Sequence, residues 1–353
     1  MLLLWPSSAW EPCVSRPPVR FGVIGLDHPH VIGMTHSLVQ AGAELACIVP
    51  QDGPLAKGYL ELHSGVSRAR TVDEVLEDDS IELVVGAGIP DERADLGVRV
   101  MRAGKDYLVD KPGATTLDQL AALRAAQAET GRIFSVYFSE RHENRATVRA
   151  SELVAQGAIG RVVHSVGLGP HRLNPGQRPA WFFERERYGG ILTDLASHQV
   201  EQFLHFTGAT AARVAYSRVA NVAHPEHPGL EDLGEMLLEA EGASGYVRVD
   251  WFTPDGLPTW GDVRLMLVGS EGTLEVRKQI DLAGREGADH LFWVDGERVR
   301  HEDCRATPLP FAGNLLRDVR ERTGTAMSQA HCFLATELSL RAQRDAVVGR
   351  AAR

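Results

Sequence analysis

The alternation of apolar and polar positions divides the chain into two patterns. From residue 19 to 138, short apolar runs alternate with amphipathic stretches. The runs at 19–25, 43–49, 81–87, 106–110 and 133–138 read as buried parallel strands. Between them, helices are predicted at 31–40, 72–76, 91–103 and 117–129. Strands separated by helices at this spacing predict a doubly wound, Rossmann-like parallel sheet with right-handed crossovers. After a helix predicted at 145–156, strand-like runs at 161–167, 212–219, 233–241, 245–251, 263–268 and 272–277 succeed one another mostly through turns. That pattern predicts an α+β domain with an open, mostly antiparallel sheet.

The expected domains are therefore 19–138 and 139–326, with a C-terminal helix within 327–353 packing on the body. Residues 1–18 hold four prolines and read as a loosely ordered leader. Their apolar start is too short for a signal-peptide core or a membrane span. A chain of 353 residues suits two cores, and a formal charge of −10 argues against nucleic acid or an anionic membrane as partner. Cys13, Cys47, Cys304 and Cys332 are scattered without framework spacing, as expected for reduced thiols in a cytoplasmic protein.

One segment inside the second pattern is unusual. From Gly189-Gly190 to Thr207-Gly208 no breaker occurs, and a long, largely buried helix is predicted. Asp194, His198, Glu201 and His205 step by four, three and four residues and fall on one stripe. A buried carboxylate and imidazole one turn apart are either a satisfied pair in a core or the lining of a cavity.

The first strand, its turn and the following helix mark where a dinucleotide pyrophosphate would sit. Gly25 supplies the first glycine, Asp27 stands where a second would be, and Gly33 comes late. His28 and His30 could offset the aspartate's charge; alternatively, the domain no longer binds nucleotide. Asp52, just beyond the second strand, is the candidate ribose carboxylate, and NAD is not distinguished from NADP. The fifth strand ends Asp110-Lys111-Pro112, which directs Lys111 towards the ligand crevice.

These residues carry a resemblance. Asp110-Lys111-Pro112 is similar to the Glu-Lys-Pro motif of the family of glucose–fructose oxidoreductase, inositol dehydrogenase and MocA. The segment 189–198 resembles its glycine-rich Asp-to-His motif, and Ala87-Gly88-Ile89-Pro90 and Arg141 occupy further family positions. The resemblance implies an NAD(P)-dependent oxidoreductase acting on a sugar, cyclitol or related polyol. His198 would be the general base, Asp194 would orient it or bind substrate, and Lys111 would hold the reacting oxygen. Gly25, Leu26, Asp27, His28, His30, Asp52, Ala87, Gly88, Ile89, Asp110, Lys111, Pro112 and Arg141 would surround the cofactor. A homodimer or homotetramer through the second sheet is implied as well.

His171, Arg172, Arg178 and Trp181 lie in an irregular segment whose polar and aromatic mix suits a substrate pocket, or an ordinary packed loop. His198 and Glu201 with His164 or His171 could in principle ligate a metal, but none is expected. Two rival classes stand beside the dehydrogenase. One is an enzyme of this fold that uses bound NAD while cleaving a glycosidic bond. The other is a non-catalytic binding or regulatory protein.

Overall fold

The computed structural model describes residues 17–349, so the expected loose leader lies almost wholly outside the described residues. Among them, the first sheet comprises β1 (Arg20–Leu26), β2 (Glu44–Ile48), β3 (Ser67–Arg68), β4 (Leu83–Ala87), β5 (Asp106–Asp110) and β6 (Phe134–Tyr137). All pairings are parallel in the order β3-β2-β1-β4-β5-β6. The order reverses between β2-β1 and β4, so their carboxyl ends open a crevice there. β3 and the helix Pro54–Leu62 were not legible in the sequence.

The second sheet holds β7 (Val162–Pro170), β8 (Ala212–Ala220), β9 (Leu233–Ala240), β10 (Ala243–Asp250), β11 (Arg264–Gly269), β12 (Thr273–Arg277), β13 (His290–Val294), β14 (Val299–Asp303) and β15 (Val347–Val348). It is mostly antiparallel; β10 with β7 and β15 with β8 are the parallel pairs. One face carries the helix Ser197–Thr207. Gly167 and Gly169 admit it, since a Cβ at Gly167 would stand 2.6 Å from Gln199 Cγ. The other face presents Tyr216, Leu237, Tyr246, Val166 and Met266 as a cross-strand row, and Tyr216, Leu237 and Met266 are exposed.

Two C-terminal helices tie the halves together. Phe311–Glu321 lies in the stretch expected within the second domain, yet packs Phe311, Leu315, Leu316 and Val319 into one apolar cluster with Phe21, Val23 and Met34. Gln329–Arg344 touches both sheets. Phe333 stacks on Phe134 of β6 at 5.4 Å, and the Ser217 hydroxyl of β8 donates to the Ala342 carbonyl at 2.8 Å.

The expected unbroken helix is two. Ile191–Asp194 and Ser197–Thr207 are separated at Leu195-Ala196. The Ser197 hydroxyl takes the Asp194 carbonyl at 3.1 Å, and the His198 N–H turns to the Leu195 carbonyl at 3.3 Å. A local side-chain bond of this kind competes with the helical ladder. The first piece starts at Gly190, whose φ of +87° suits only glycine, and its leading N–H groups donate to Glu231 and Gln343.

Candidate active site

Lys111, Asp194 and His198 converge at the carboxyl end of β5, in a pocket of about 360 Å³ walled also by His28, His30, Glu140, His171, Arg178 and Trp251. Lys111 and His198 are only 4% and 2% exposed. The Lys111 ammonium donates to Asp194 Oδ1 at 2.6 Å. Burial pushes the Asp194 carboxyl up, but Lys111 outweighs it and holds the group ionised. Asp194 therefore serves the lysine, and no hydrogen bond joins it to His198.

His198 Nδ1 is buried without a hydrogen-bond partner. Burial lowers its pKa to about 3; Lys111 adds to the effect while Glu140 opposes it. The imidazole is thus neutral at pH 7. Burial also raises the Glu140 carboxyl, yet the Lys278 ammonium, the largest opposing influence, helps hold it at about 2. The Lys278 ammonium donates to it at 2.9 Å.

The stripe divides at the helix break. Glu201 accepts from Arg141 Nε at 2.6 Å and lies 2.9 Å from His331 Nε2, while His205 meets the Ser151 hydroxyl. Glu201 is fully buried in this ion cluster. Arg141, expected beside the cofactor, is spent on Glu201.

At the end of β1, the turn departs from a simple phosphate loop. The Leu26 N–H donates to Gln51 Oε1, and both Asp27 and His28 N–H groups reach the Ala87 carbonyl at 3.0 Å. Pro29 has no N–H. Gln51 Nε2 holds the Asp27 carboxylate at 3.0 Å. Asp110, expected to face the cofactor, is fully buried. It pairs with His30 Nδ1 at 2.7 Å, His28 Nδ1 at 2.9 Å and Arg93 at 3.1 Å. Burial raises Asp110, but these three partners outweigh it and keep it well below the usual carboxylate range. Burial also lowers His28 to about 4. Neither Arg93 nor Gln51 was singled out in the sequence. A lone arginine in a helix carries no signal there, since only the folded chain brings it to Asp110.

The groove beside this turn nonetheless fits a dinucleotide. It measures about 600 Å³ and is lined by Leu26, Asp27, His28, Asp52, Pro54 and Trp181 among others. Just before Leu26, Gly25 has φ +87°, and a Cβ there would stand 2.5 Å from Gly88 N, so bare backbone is required where the β1 and β4 turns meet. The pyrophosphate would meet side chains rather than free backbone donors of residues 26–29. Ala87 ends β4 and its carbonyl binds the amides of Asp27 and His28, while in the adjoining Gly88-Ile89 turn the Gly88 carbonyl accepts from Arg93 Nε at 2.7 Å. Pro112 follows Lys111 across a cis peptide bond.

The substrate-segment residues separate. His171 lines the pocket, its Nδ1 on the Gly169 carbonyl at 3.0 Å. Arg178 lines pocket and groove, with its guanidinium 4.3 Å from the Phe182 ring centre and 5.1 Å from that of Trp251. Trp181 lines the groove instead of the pocket. Arg172 faces neither; it fastens the 254–259 loop through the Pro254, Leu257 and Thr259 carbonyls.

A doubly wound nucleotide-type domain, closed by a sheet domain that brings a lysine, an aspartate and a neutral histidine to the crevice, defines a two-domain oxidoreductase architecture. Comparison with known proteins gives the same class. Residues 19–138 match the family model described as an oxidoreductase family with an NAD-binding Rossmann fold, and residues 147–275 match the GFO/IDH/MocA C-terminal domain. The chain is similar to a putative oxidoreductase from Erwinia carotovora atroseptica, at 46% identity and a TM-score of 0.91, covering 94% of this chain and 99% of that one. It is 28% identical over 301 residues to scyllo-inositol 2-dehydrogenase (NAD(+)) of Bacillus subtilis, covering 80% and 82% of the two chains. A levoglucosan dehydrogenase solved with NADH and levoglucosan shares the fold at a TM-score of 0.75 and 17% identity, over 93% and 96% of the chains. The chain belongs to the Gfo/Idh/MocA oxidoreductase family.

Proposed function

We propose that this oxidoreductase oxidises a secondary hydroxyl of a sugar or cyclitol, or reduces the matching ketone, with NAD(P) as partner. The meeting of Lys111, Asp194 and a neutral His198 in one pocket carries this reading. Gly25, Gly88, Asp52 and the groove walls would hold the dinucleotide, whose nicotinamide supplies hydride acceptance. In the pocket, the Lys111 ammonium keeps donors beyond the one on Asp194. It stabilises the oxygen as negative charge develops there and makes the hydroxyl more acidic. His198 accepts the hydroxyl proton; burial makes it a weak base, so the transfer accompanies charge development at the oxygen. Phe182, Trp251 and Trp260, gathered round the Arg178 guanidinium, give the pocket an aromatic wall, and Glu140, His171 and Gln279 offer polar edges to a ring.

Relatives named for inositol, levoglucosan and xylose favour a cyclic polyol or sugar. The exposed row at Tyr216, Leu237 and Met266 favours a homodimer formed through the second sheet. No described helix is long and apolar enough to cross a membrane. Three free thiols, Cys47, Cys304 and Cys332, favour the cytoplasm.

The reading is tested by nicotinamide absorbance across a panel of cyclitols and sugars. With an accepted substrate, Lys111→Ala and His198→Ala should each lower kcat by about 10²–10⁴-fold while the fold survives. Rates within a few-fold of the parent in both variants would exclude the assignment.

A further inference from the structure

The turn after β1 and the end of β5 bring together a group that the proton-transfer set does not use. One ligand atom from each of His28, His30 and Asp110 lies within 4.8 Å of the other two. The two imidazole nitrogens converge on opposite oxygens of one carboxylate, at 2.9 Å on Oδ2 and 2.7 Å on Oδ1. Their rings stand edge to face with centres 4.3 Å apart. From this geometry we infer a divalent transition-metal site formed by His28, His30 and Asp110 at the wall of the substrate pocket.

Several observations support it. Two imidazoles and one carboxylate are the donor set that borderline ions such as Zn²⁺ accept, with positions left for a further ligand. Local geometry holds the set: Pro29 stiffens the His-Pro-His turn, and Arg93 fixes the carboxylate through Oδ2, with further bonds to the Asp110, Lys111 and Pro112 carbonyls. Oδ1 carries only His30, so Arg93 need not leave for an ion to bind through that oxygen. Such anchoring of a ligand carboxylate by an outer partner is usual at metal sites.

Both histidines line the pocket, so the open positions of an ion held by them face a molecule bound there. It would hold an oxygen of that molecule and polarise it. It would also place positive charge at a turn whose residues 26–29 have no free backbone donor for an anion. Arg93 and Lys111 are the cationic groups against the site. They weaken the attraction for an ion, and the carboxylates of Asp110 and of Asp194, which faces the same pocket, oppose them.

The test uses the full chain, stripped with a chelator, dialysed and titrated with ZnCl₂ by calorimetry. Metal content of the untreated protein is measured in parallel. The site predicts one equivalent bound at micromolar concentration or tighter. His28→Gln and His30→Gln should each weaken binding about 100-fold or more, whereas His171→Gln, in the same pocket but outside the cluster, should leave it unchanged. Circular dichroism shows whether each variant is folded, and Asp110→Asn is a second test if a histidine variant is not. The absence of saturable zinc binding to the parent would overturn the inference. So would binding that survives both histidine changes or disappears with His171→Gln. These outcomes need neither substrate nor nucleotide, so they stand apart from the test of the oxidoreductase reading.

Discussion

Two regions at the crevice place histidine beside aspartate, and they resolve the pairing in opposite ways. On the turn after β1, His28 and His30 both bond Asp110, which is wholly buried and already held by Arg93. At the broken helix, Asp194 and His198 are four residues apart, but the carboxylate goes to Lys111 and the imidazole is left alone. A carboxylate in a low-dielectric site takes the strongest charged donor within reach, and residue spacing decides only when no such donor competes. Where Arg93 leaves an oxygen for each imidazole, an assembled hub results. Where Lys111 reaches Asp194 first, the neighbouring histidine stays neutral and its Nδ1 uncommitted, which is what the proposed proton-accepting role requires.

If this contrast is right, the two aspartates fail differently when removed. Asp110→Ala leaves Arg93 buried without its counter-charge and should cost about 3–5 kcal/mol of stability, read as a lowered midpoint in urea. Asp194→Ala lines a pocket that water can enter, so it should lose less stability and at least about 10²-fold in kcat. Equal stability losses in the two variants would erase the distinction.

A smaller effect follows from the lone histidine. His198 sits at about 3 when folded, against 6.5 in its absence of burial. Below pH 6.5 the unfolded chain takes up a proton that the folded one refuses, so stability falls as pH drops from 6.5 towards 3; above 6.5 this residue has no effect. One such group contributes about 1.4 kcal/mol per pH unit inside that window. Melting temperatures from pH 7 to pH 4 should show a shallower decline in His198→Gln than in the parent. The smallest effect concerns the charge at the turn: Asp27→Asn should tighten NAD(H) binding about three- to ten-fold at low salt, measured by calorimetry, by removing one negative charge near the pyrophosphate.

The sequence made the winding of the first sheet legible because β1, β4, β5 and β6 are buried on both faces and read as apolar runs, while β2 is half-buried yet keeps a run of Leu, Ala, Cys and Ile. The Lys111, Asp194 and His198 positions were legible through motif spacing, and all three line one pocket. Less was visible where tertiary contacts decide. The helix break at Leu195-Ala196 leaves no mark in the periodicity, because the apolar positions run through it unchanged. The helix Phe311–Glu321 follows the second sheet in the chain but buries its apolar stripe against the first. β13 and β14 alternate exposed and buried positions too weakly to stand out. The His28, His30 and Asp110 cluster joins residues some 80 positions apart, and glycine spacing in the turn said nothing of where its amides go.

The helix Gln329–Arg344 has a mechanical meaning. Its first turn is bonded to β6 through Gln329, its middle stacks Phe333 on Phe134, and its last turn holds the start of the Asp194-bearing helix through Gln343. It is a strut fixed at both ends, set behind the crevice rather than across it. A strut so placed joins the β6 side of the crevice to the Asp194 side. Lys111 belongs to one side of that crevice and Asp194 to the other, so their alignment is built in before any substrate arrives. The free protein thus holds the two halves of the pair at 2.6 Å, like a gauge set before use.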